Sequence, residues 1–396
     1  MASLLRQIAA VTALNVRSIP QRAAMSAASV VAVALAITVL LFFLALANGL
    51  AKTVEGSGAD DVAVTLREGS NSELNSVVGR DQLNLLATGP GVRQAAGGPL
   101  ASGELLVIVD GARRSTGIKA NMPFRGIGAQ GLALRKGVKI TQGRMFRPGT
   151  NEIVVGVGLL REFAGFEYGK TIRLRGGEWQ VVGVFEAPGT VFESELWADI
   201  AVAQSLFNRP NVYQTMRIGL TAPAALPAFK GWAARDVRLK GLEILSERAY
   251  YARQAAQSTG RFTLIAWLLG VTMAIGALAG ALNTMYASVA TRSAEIATLR
   301  IIGFSGLAAF CGTMIEALVL SALGATLGVT LAYAAFQGRG TSTLGGGFTQ
   351  LAFKFDLSPQ ILAAALAMAL TIGLLGGLLP GIKAARQKPL LELAGG

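Results

Sequence analysis

Histidine, the commonest general base and metal ligand near neutral pH, is absent from all 396 residues. The only cysteine is Cys311, set in an apolar run, so no intrachain disulfide and no Cys/His metal cluster can form. It reads as a small apolar residue in a packed helix. Glu193 and Glu195 are two apart and would share one face of a strand. Without a partner base or metal ligands they read as surface carboxylates. The segment Ala164-Gly165-Phe166-Glu167-Tyr168-Gly169-Lys170-Thr171 fits a loose phosphate-loop pattern. A phosphate loop needs a strand before it and a helix after it, so that helix N-terminal amides cradle the anion. Here a helix is expected before and a strand after, so the segment reads as a Gly-containing turn. No Gly-x-Ser-x-Gly elbow occurs. Nothing in this set composes a catalytic site, which weighs against a membrane-anchored enzyme.

The elements that carry these residues are set by hydropathy. The mean hydropathy is +0.50, and 52% of the residues are apolar, a composition that points to membrane spans. Four long runs are free of charge except for one acid: Ala23 to Ala47, Phe262 to Ala290, Ile301 to Gln337 (broken only by Glu316) and Leu357 to Ile382. Each exceeds the ~20 residues that a helix needs to cross the hydrocarbon core. Ala45-Leu46-Ala47 resembles a signal-peptide cleavage site, but the run before it is far longer than the ~7–15 residues of a signal. It is read as an uncleaved span.

The net charge is +13. From Leu50 to Gly260 there are 25 Lys/Arg against 19 Asp/Glu, and elsewhere 11 against 4. No basic stripe interleaved with aromatics appears, so nucleic acid is not an expected partner. Arg6, Arg17 and Arg22 precede the first run. Arg292 and Arg300 lie between the second and third, and Lys383, Arg386 and Lys388 follow the fourth. With four spans all three sets fall on one side. The positive-inside rule then predicts both termini in the cytoplasm and the long segment between the first two spans outside. Residues 1–22 read as an amphipathic helix along the inner interface, with Leu4, Ile8, Val11 and Leu14 on one face and Arg6 and Arg17 on the other.

Gly276 and Gly280, Gly324 and Gly328, and Gly373 and Gly377 are each four apart, a spacing that lets helices approach closely in lipid. Glu316, an acid inside a span, costs ~2.5–3.5 kcal/mol on insertion scales and therefore reads as a structural or coupling residue buried in protein.

The outer segment mixes strand signals (62–66, 105–109, 152–155, 171–174, 179–185, 216–220) with helix signals (81–88, 156–163, 199–207, 224–235), so it is α+β. Leu245 to Gly260 is polar yet helical, and no breaker separates it from the second span. A stalk helix continuing into the membrane is expected.

The most specific stretch runs from Asn283 to Gly328. Arg292 and Glu295 are three apart and can pair on a short helix. Ile296 and Leu299 give that helix an apolar side, and Gly303 can end it in a left-handed cap. Arg300 and Phe304 flank the cap. Arg292, Glu295-Ile296, Leu299-Arg300, Gly303 and Glu316 resemble the hallmark run of the MacB/FtsX-like family of ABC-transporter permeases (type VII, mechanotransmission type). Gly377-Leu378-Leu379-Pro380, Ala384-Ala385-Arg386 and Pro389 match its C-terminus, with Lys388 where an acid is frequent. Gly143-Arg144-Met145-Phe146, 151–156 and 181–185 resemble its outer core domain. The resemblance spans nearly the whole chain.

It implies a non-catalytic permease subunit in the bacterial cytoplasmic (inner) membrane, with four transmembrane helices and a MacB-like α+β extracytoplasmic domain. The expected layout is an N-terminal helix at 1–22, a first span at 23–50 and the outer domain at 51–244, with an insert at about 111–210. The stalk and second span follow at 245–290, the coupling loop at 291–304, the third span at 305–337, an outer loop at 338–356, the fourth span at 357–382 and a tail at 383–396. Two permease subunits, identical or related, pair with two copies of a cytoplasmic ATPase, on which ATP and Mg are bound; this chain binds no cofactor. Arg292, Glu295, Ile296, Leu299, Arg300, Gly303 and Phe304 are the expected coupling residues. The expected function is export or extraction of an amphiphile (lipid, lipoprotein, peptide or hydrophobic drug), with a periplasmic adaptor or substrate acceptor left open as a further partner. The alternative is an FtsX-like signalling relay that activates a cell-wall hydrolase. Relay members tend to carry a small outer domain, so a segment of this length favours export.

Overall fold

The protein is described from a computed structural model over residues 2–344 and 350–387; Lys388 and Pro389 lie outside the described residues. Its helices in chain order are α1 (Ala2–Arg17), α2 (Ala23–Glu55), α3 (Arg80–Leu86), α4 (Val157–Glu162), α5 (Ile200–Leu206), α6 (Leu226–Arg235), α7 (Glu247–Thr291), α8 (Ser293–Ile301), α9 (Gly306–Phe336) and α10 (Pro359–Arg386). The chain forms two units, Met1–Asn48 with Arg261–Arg339 and Phe355–Gly396, and Gly49–Gly260 with Gly340–Lys354. Helix α7 contributes residues to both.

The first unit is a helix bundle. A 3-10 turn at Ile19–Arg22 joins α1 to α2. The four helices long and apolar enough to cross a membrane are Ile19–Glu55, Glu247–Thr291, Gly306–Phe336 and Pro359–Arg386. Boundaries follow local chemistry. The Ser305 hydroxyl caps α9 by accepting from Ala308 N–H at 3.1 Å, and Pro359 opens α10, where a missing N–H costs nothing. Small residues set the closest approaches. A Cβ at Gly324 or Gly328 would lie 2.7 Å from atoms of Val33 or Ala34 on α2, and one at Gly373 or Gly377 would press Ser321 or Ala317 on α9. At Gly276 and Gly280 a Cβ meets nothing within 4 Å among the described residues.

Helix α1 turns one apolar and one polar residue into the bundle. Val11 is buried, but Leu14 is 51% exposed and the polar Asn15 only 4%. The reason is a hydrogen bond that Asn15 makes inside the bundle, described below.

The second unit holds the strands β1 (Val62–Arg67), β2 (Ala101–Ala112), β3 (Lys119–Ile127), β4 (Lys139–Gly143), β5 (Glu152–Gly156), β6 (Thr171–Leu174), β7 (Gly177–Glu186), β8 (Leu196–Asp199), β9 (Thr215–Gly219), β10 (Leu242–Ser246), β11 (Gly340–Leu344) and β12 (Gln350–Lys354). The first ten make one sheet in the order β10-β1-β9-β2-β3-β8-β5-β7-β4, with β6 beside β7. The long strand β2 is shared: its start pairs with β9, from Ala101 against Ile218 to Glu104 against Thr215, and its remainder pairs with β3 from Leu105 onward. Two hydrophobic cores follow from this division. One gathers Leu105, Phe124, Ile153, Trp179 and Leu196 with α4 and α5; the other gathers Ala63, Met216, Ile218, Phe229 and Ile244 with α3 and α6.

Two expectations are corrected. The helix expected from Leu245 begins at Glu247, because Leu242–Ser246 pairs as an edge strand with β1. The Gly-, Ser- and Thr-rich segment read as a loop at 338–356 contains the hairpin β11–β12, which belongs to the second unit. The phosphate-loop lookalike is a turn between α4 and β6, as expected, with Gly165 and Gly169 at positive φ.

Candidate functional site

Helix α8 follows α7 after a single residue, Arg292, and is closed by a left-handed glycine. Gly303 has φ +99°, its N–H donates to the Arg300 carbonyl at 3.3 Å, and the Phe304 N–H donates to the Leu299 carbonyl at 3.0 Å. This pair of bonds is a Schellman cap, and it requires the φ that glycine adopts without strain. One side of α8 points outward: Glu295, at 70% side-chain exposure, then Thr298 and the apolar tip Ile301 and Ile302. The other side carries Ile296, which packs with Val289, Ala309 and Ala384. Leu299, Arg300 and Phe304 are half-buried.

Beneath α8 lies an ionic cluster. Glu316 is 2% exposed, two to three turns into α9. Its Oε1 accepts from Arg22 Nη2 at 3.0 Å and from the Ser288 hydroxyl at 3.1 Å, and its Oε2 lies 3.6 Å from Arg292 Nη1. Arg22 also donates to Ser288 and, at 2.9 Å, to the Ser18 hydroxyl. Arg292 donates from Nη2 to Asn15 Oδ1 at 2.6 Å and from Nε to Glu295 at 3.2 Å. A buried carboxylate is tolerable only when paired and hydrogen-bonded. Here the acid of α9 draws together the turn before α2, the end of α7 and the start of α8. Removing one partner of such a pair costs about 3–5 kcal/mol because the other is left buried and uncompensated.

Of the residues singled out from the sequence, Arg292, Ile296 and Glu316 thus face into the bundle, and Glu295 faces out. Sequence reasoning missed Asn15, Arg22 and Ser288. One signal was present: an acid inside a span must find a cation, and Arg22 and Arg292 are among the basic residues that flank the uncharged runs.

The second unit holds its own buried cluster at the seam of the two half-sheets. Glu104 Oε2 accepts from Arg125 at 2.9 Å, Arg135 at 2.6 Å and Arg217 at 3.0 Å. Arg125 further binds Glu195 through two bonds of 2.7 Å and Glu73 at 2.5 Å. Arg217 binds Glu73 at 2.8 Å, Glu247 at the start of α7, and the Tyr251 hydroxyl at 3.2 Å. Burial alone would raise the Glu104 pKa, but Arg135, Arg217 and Arg125 outweigh it and hold the carboxyl well below its usual range. Burial likewise opposes the Arg125 charge, and Glu195 and Glu73 overcome it. Glu195 is therefore not the surface carboxylate expected from its spacing with Glu193; it is buried against Arg125 and accepts from Trp197 Nε1 at 2.7 Å. Every acid of the cluster is engaged by arginine, an arrangement suited to fixing geometry rather than to proton transfer. Among the described residues no three His, Cys, Asp or Glu side chains gather as metal ligands.

Comparison with known proteins gives the family. Residues 26–233 match the MacB-like periplasmic core domain, and residues 267–389 match the FtsX-like permease C-terminal domain. No curated protein matches the sequence. Similar solved structures include the extracellular domain of the noncanonic ABC-type transporter YknZ from Gram-positive bacteria, at 14% identity over 47% of this chain and 100% of that one, with a TM-score of 0.35. The periplasmic region of MacB from Actinobacillus actinomycetemcomitans matches at 11% identity over 50% of this chain and 94% of that one, with a TM-score of 0.38. The assignment rests on the two domain matches, which follow one another along the chain with a membrane-length helix at the start of the first and three within or overlapping the second. This chain belongs to the MacB/FtsX-like family of ABC-transporter permeases.

Proposed function

We propose that this permease subunit transmits the ATP-driven motion of a separate cytoplasmic ABC ATPase to its outer domain, and so exports or extracts an amphiphilic substrate. ABC ATPases are the general partners of the family. In this reading two permease subunits pair with two ATPase subunits in the bacterial inner membrane, and both termini and α8 lie on the cytoplasmic side. ATP and Mg are held by the ATPase. Helix α7 runs without interruption from Glu247 to Thr291, so displacement at one end has a stiff path to the other. The length of the segment between the first two spans supports export or extraction over a signalling relay.

The observation that carries this reading is α8 itself. A short helix between two membrane-length helices is capped at its end, anchored on its inner side by Arg292, and presents Glu295, Ile301 and Ile302 outward. An exposed apolar tip rimmed by charge suits a groove on a soluble partner.

Co-purification tests it. The chain is expressed with its cognate ATPase, and wild type is compared with Glu295→Arg. Capture by the wild type and loss with the reversal are expected. Equal capture by both moves docking away from α8, and capture by neither overturns the proposed coupling to that ATPase.

A further inference from the structure

Helix α8 is held by little packing. Of its residues only Ile296 and Ala297 are buried. A cavity of about 330 Å³ lies against it, lined by Val11 and Leu14 of α1, Leu299 of α8, and Ala309 and Thr313 of α9. Two small contacts beside a cavity do not define the tilt of a helix. Polar tethers add to them: Arg292 reaches Glu316 of α9, and two further bonds come from α1. At its start, Asn15 Oδ1 accepts from Arg292 Nη2 at 2.6 Å. Past its cap, at Ser305, the N-cap residue of α9, Gln7 Oε1 accepts from the backbone N–H at 3.0 Å. Gln7 and Asn15 are eight residues apart, about 12 Å along a helix, and the nine residues of α8 span about 13.5 Å. The two tethers therefore bracket α8, one at its N-cap Arg292 and one just beyond its glycine cap at Ser305. Asn15 is almost fully buried, which explains why α1 turns a polar residue inward and leaves Leu14 outside.

We infer that α1 is a splint for α8, and that Asn15 and Gln7 are positioning residues that set the angle at which α8 meets its partner. The inference rests on the reading that α8 docks the ATPase, yet the position of α8 can be measured without any ATPase.

Cys311→Ala removes the only cysteine. Ala297→Cys then places a thiol at a site that is 0% exposed beneath α8. The full chain in detergent is treated with a water-soluble maleimide. In the parent the thiol is expected to be protected. In Asn15→Leu/Gln7→Leu the labelling rate is expected to rise by about tenfold or more as α8 opens. Asn15→Asp/Gln7→Glu, which keeps an acceptor at both tethers, is expected to restore protection. A parallel reporter, Ala203→Cys in a core of the other unit, should stay protected in every variant and excludes general unfolding. Unchanged labelling in the leucine pair overturns the inference, as does failure of the acceptor-retaining pair to restore protection. Raised labelling with undiminished ATPase capture would support the splint and count against docking through α8.

Discussion

Glu104→Gln should destabilise the second unit by about 3 kcal/mol, the low end for breaking a buried ion pair. The magnitude follows from what each arginine has left. Arg125 keeps Glu195 and Glu73, and Arg217 keeps Glu73 and Glu247. Arg135 keeps the Gly131 carbonyl, at 2.8 Å, the faces of Phe192 and Trp197, 4.9 and 5.1 Å from its guanidinium carbon, and a longer-range attraction to Glu247 but no bonded carboxylate. Glu104 is the only carboxylate that bonds Arg135 among the described residues. The substitution thus leaves one buried cation without a bonded carboxylate, and the retained amide oxygen and the nearby Glu247 place the cost at the low end. Removing the cation as well, in Glu104→Gln/Arg135→Met, should recover at least half, because replacing both members of a buried pair by groups of similar size is often near neutral. The assay is urea unfolding of the full chain in detergent, followed by tryptophan fluorescence. Of the four tryptophans, Trp179, Trp197 and Trp232 lie in the second unit, so a Trp267→Phe background confines the signal to it. With a slope of about 2 kcal/mol per M, the midpoint should fall by about 1.5 M. A loss under about 1 kcal/mol, or a double variant no better than the single, would refute the claim that Arg135 depends on Glu104.

The same carboxyl predicts an acid limb. A group whose folded pKa is depressed contributes stability above its unfolded value, about 4.3 for glutamate, and loses it as the pH falls below that. The wild-type urea midpoint should therefore be flat from neutral pH down to about 5 and drop below about 4.3, more steeply than in Glu104→Gln; equal slopes would contradict the prediction. Glu152, held to about 2 by its hydrogen bonds with Arg144, should leave a smaller acid dependence in both. In the bundle, Gly328→Leu must push against the Ala34 carbonyl and Ile37, and should cost about 1–3 kcal/mol of thermal stability in detergent. Gly276→Leu meets open space and should melt with the wild type. A reversal of that order would show that the approach of α2 and α9 does not limit the bundle.

What the sequence reveals depends on how local the cause is. Uncharged runs announce α2, α7, α9 and α10 because length and apolarity alone decide whether a helix suits a membrane. Gly303 announces its cap because the required φ is a property of one residue. The buried clusters are different. Arg217 reads as an ordinary residue of strand β9, and its partners arrive from residues 73, 104, 247 and 251. Glu195 looks exposed because Arg125, its counter-ion, lies 70 residues away in the chain. Strand β3 is not legible because Pro123 and Gly126 interrupt its pattern, and pairing with β2 on one side and β8 on the other forms it regardless. For α1, helical spacing groups Leu14 with Leu4, Ile8 and Val11 and says nothing of Asn15. A hydrogen bond from Arg292 to Asn15 outweighs one leucine face, and no periodicity reports that.

The hairpin β11–β12 sets an order on biosynthesis. The second unit is not finished when the ribosome has passed Gly260; it still lacks two strands, which emerge only after α8 and α9. In the finished chain the Ser342 hydroxyl donates to Glu162 at 2.9 Å, and the Ala352 N–H donates to the Ser194 hydroxyl at 3.0 Å. Glu162 lacks this partner until residue 342 has been made, and Ser194 lacks its own until residue 352. Maturation of this unit is thus tied to the synthesis of the third membrane-length helix, and a chain truncated before the hairpin would carry an incomplete version of it however well the first ten strands had paired.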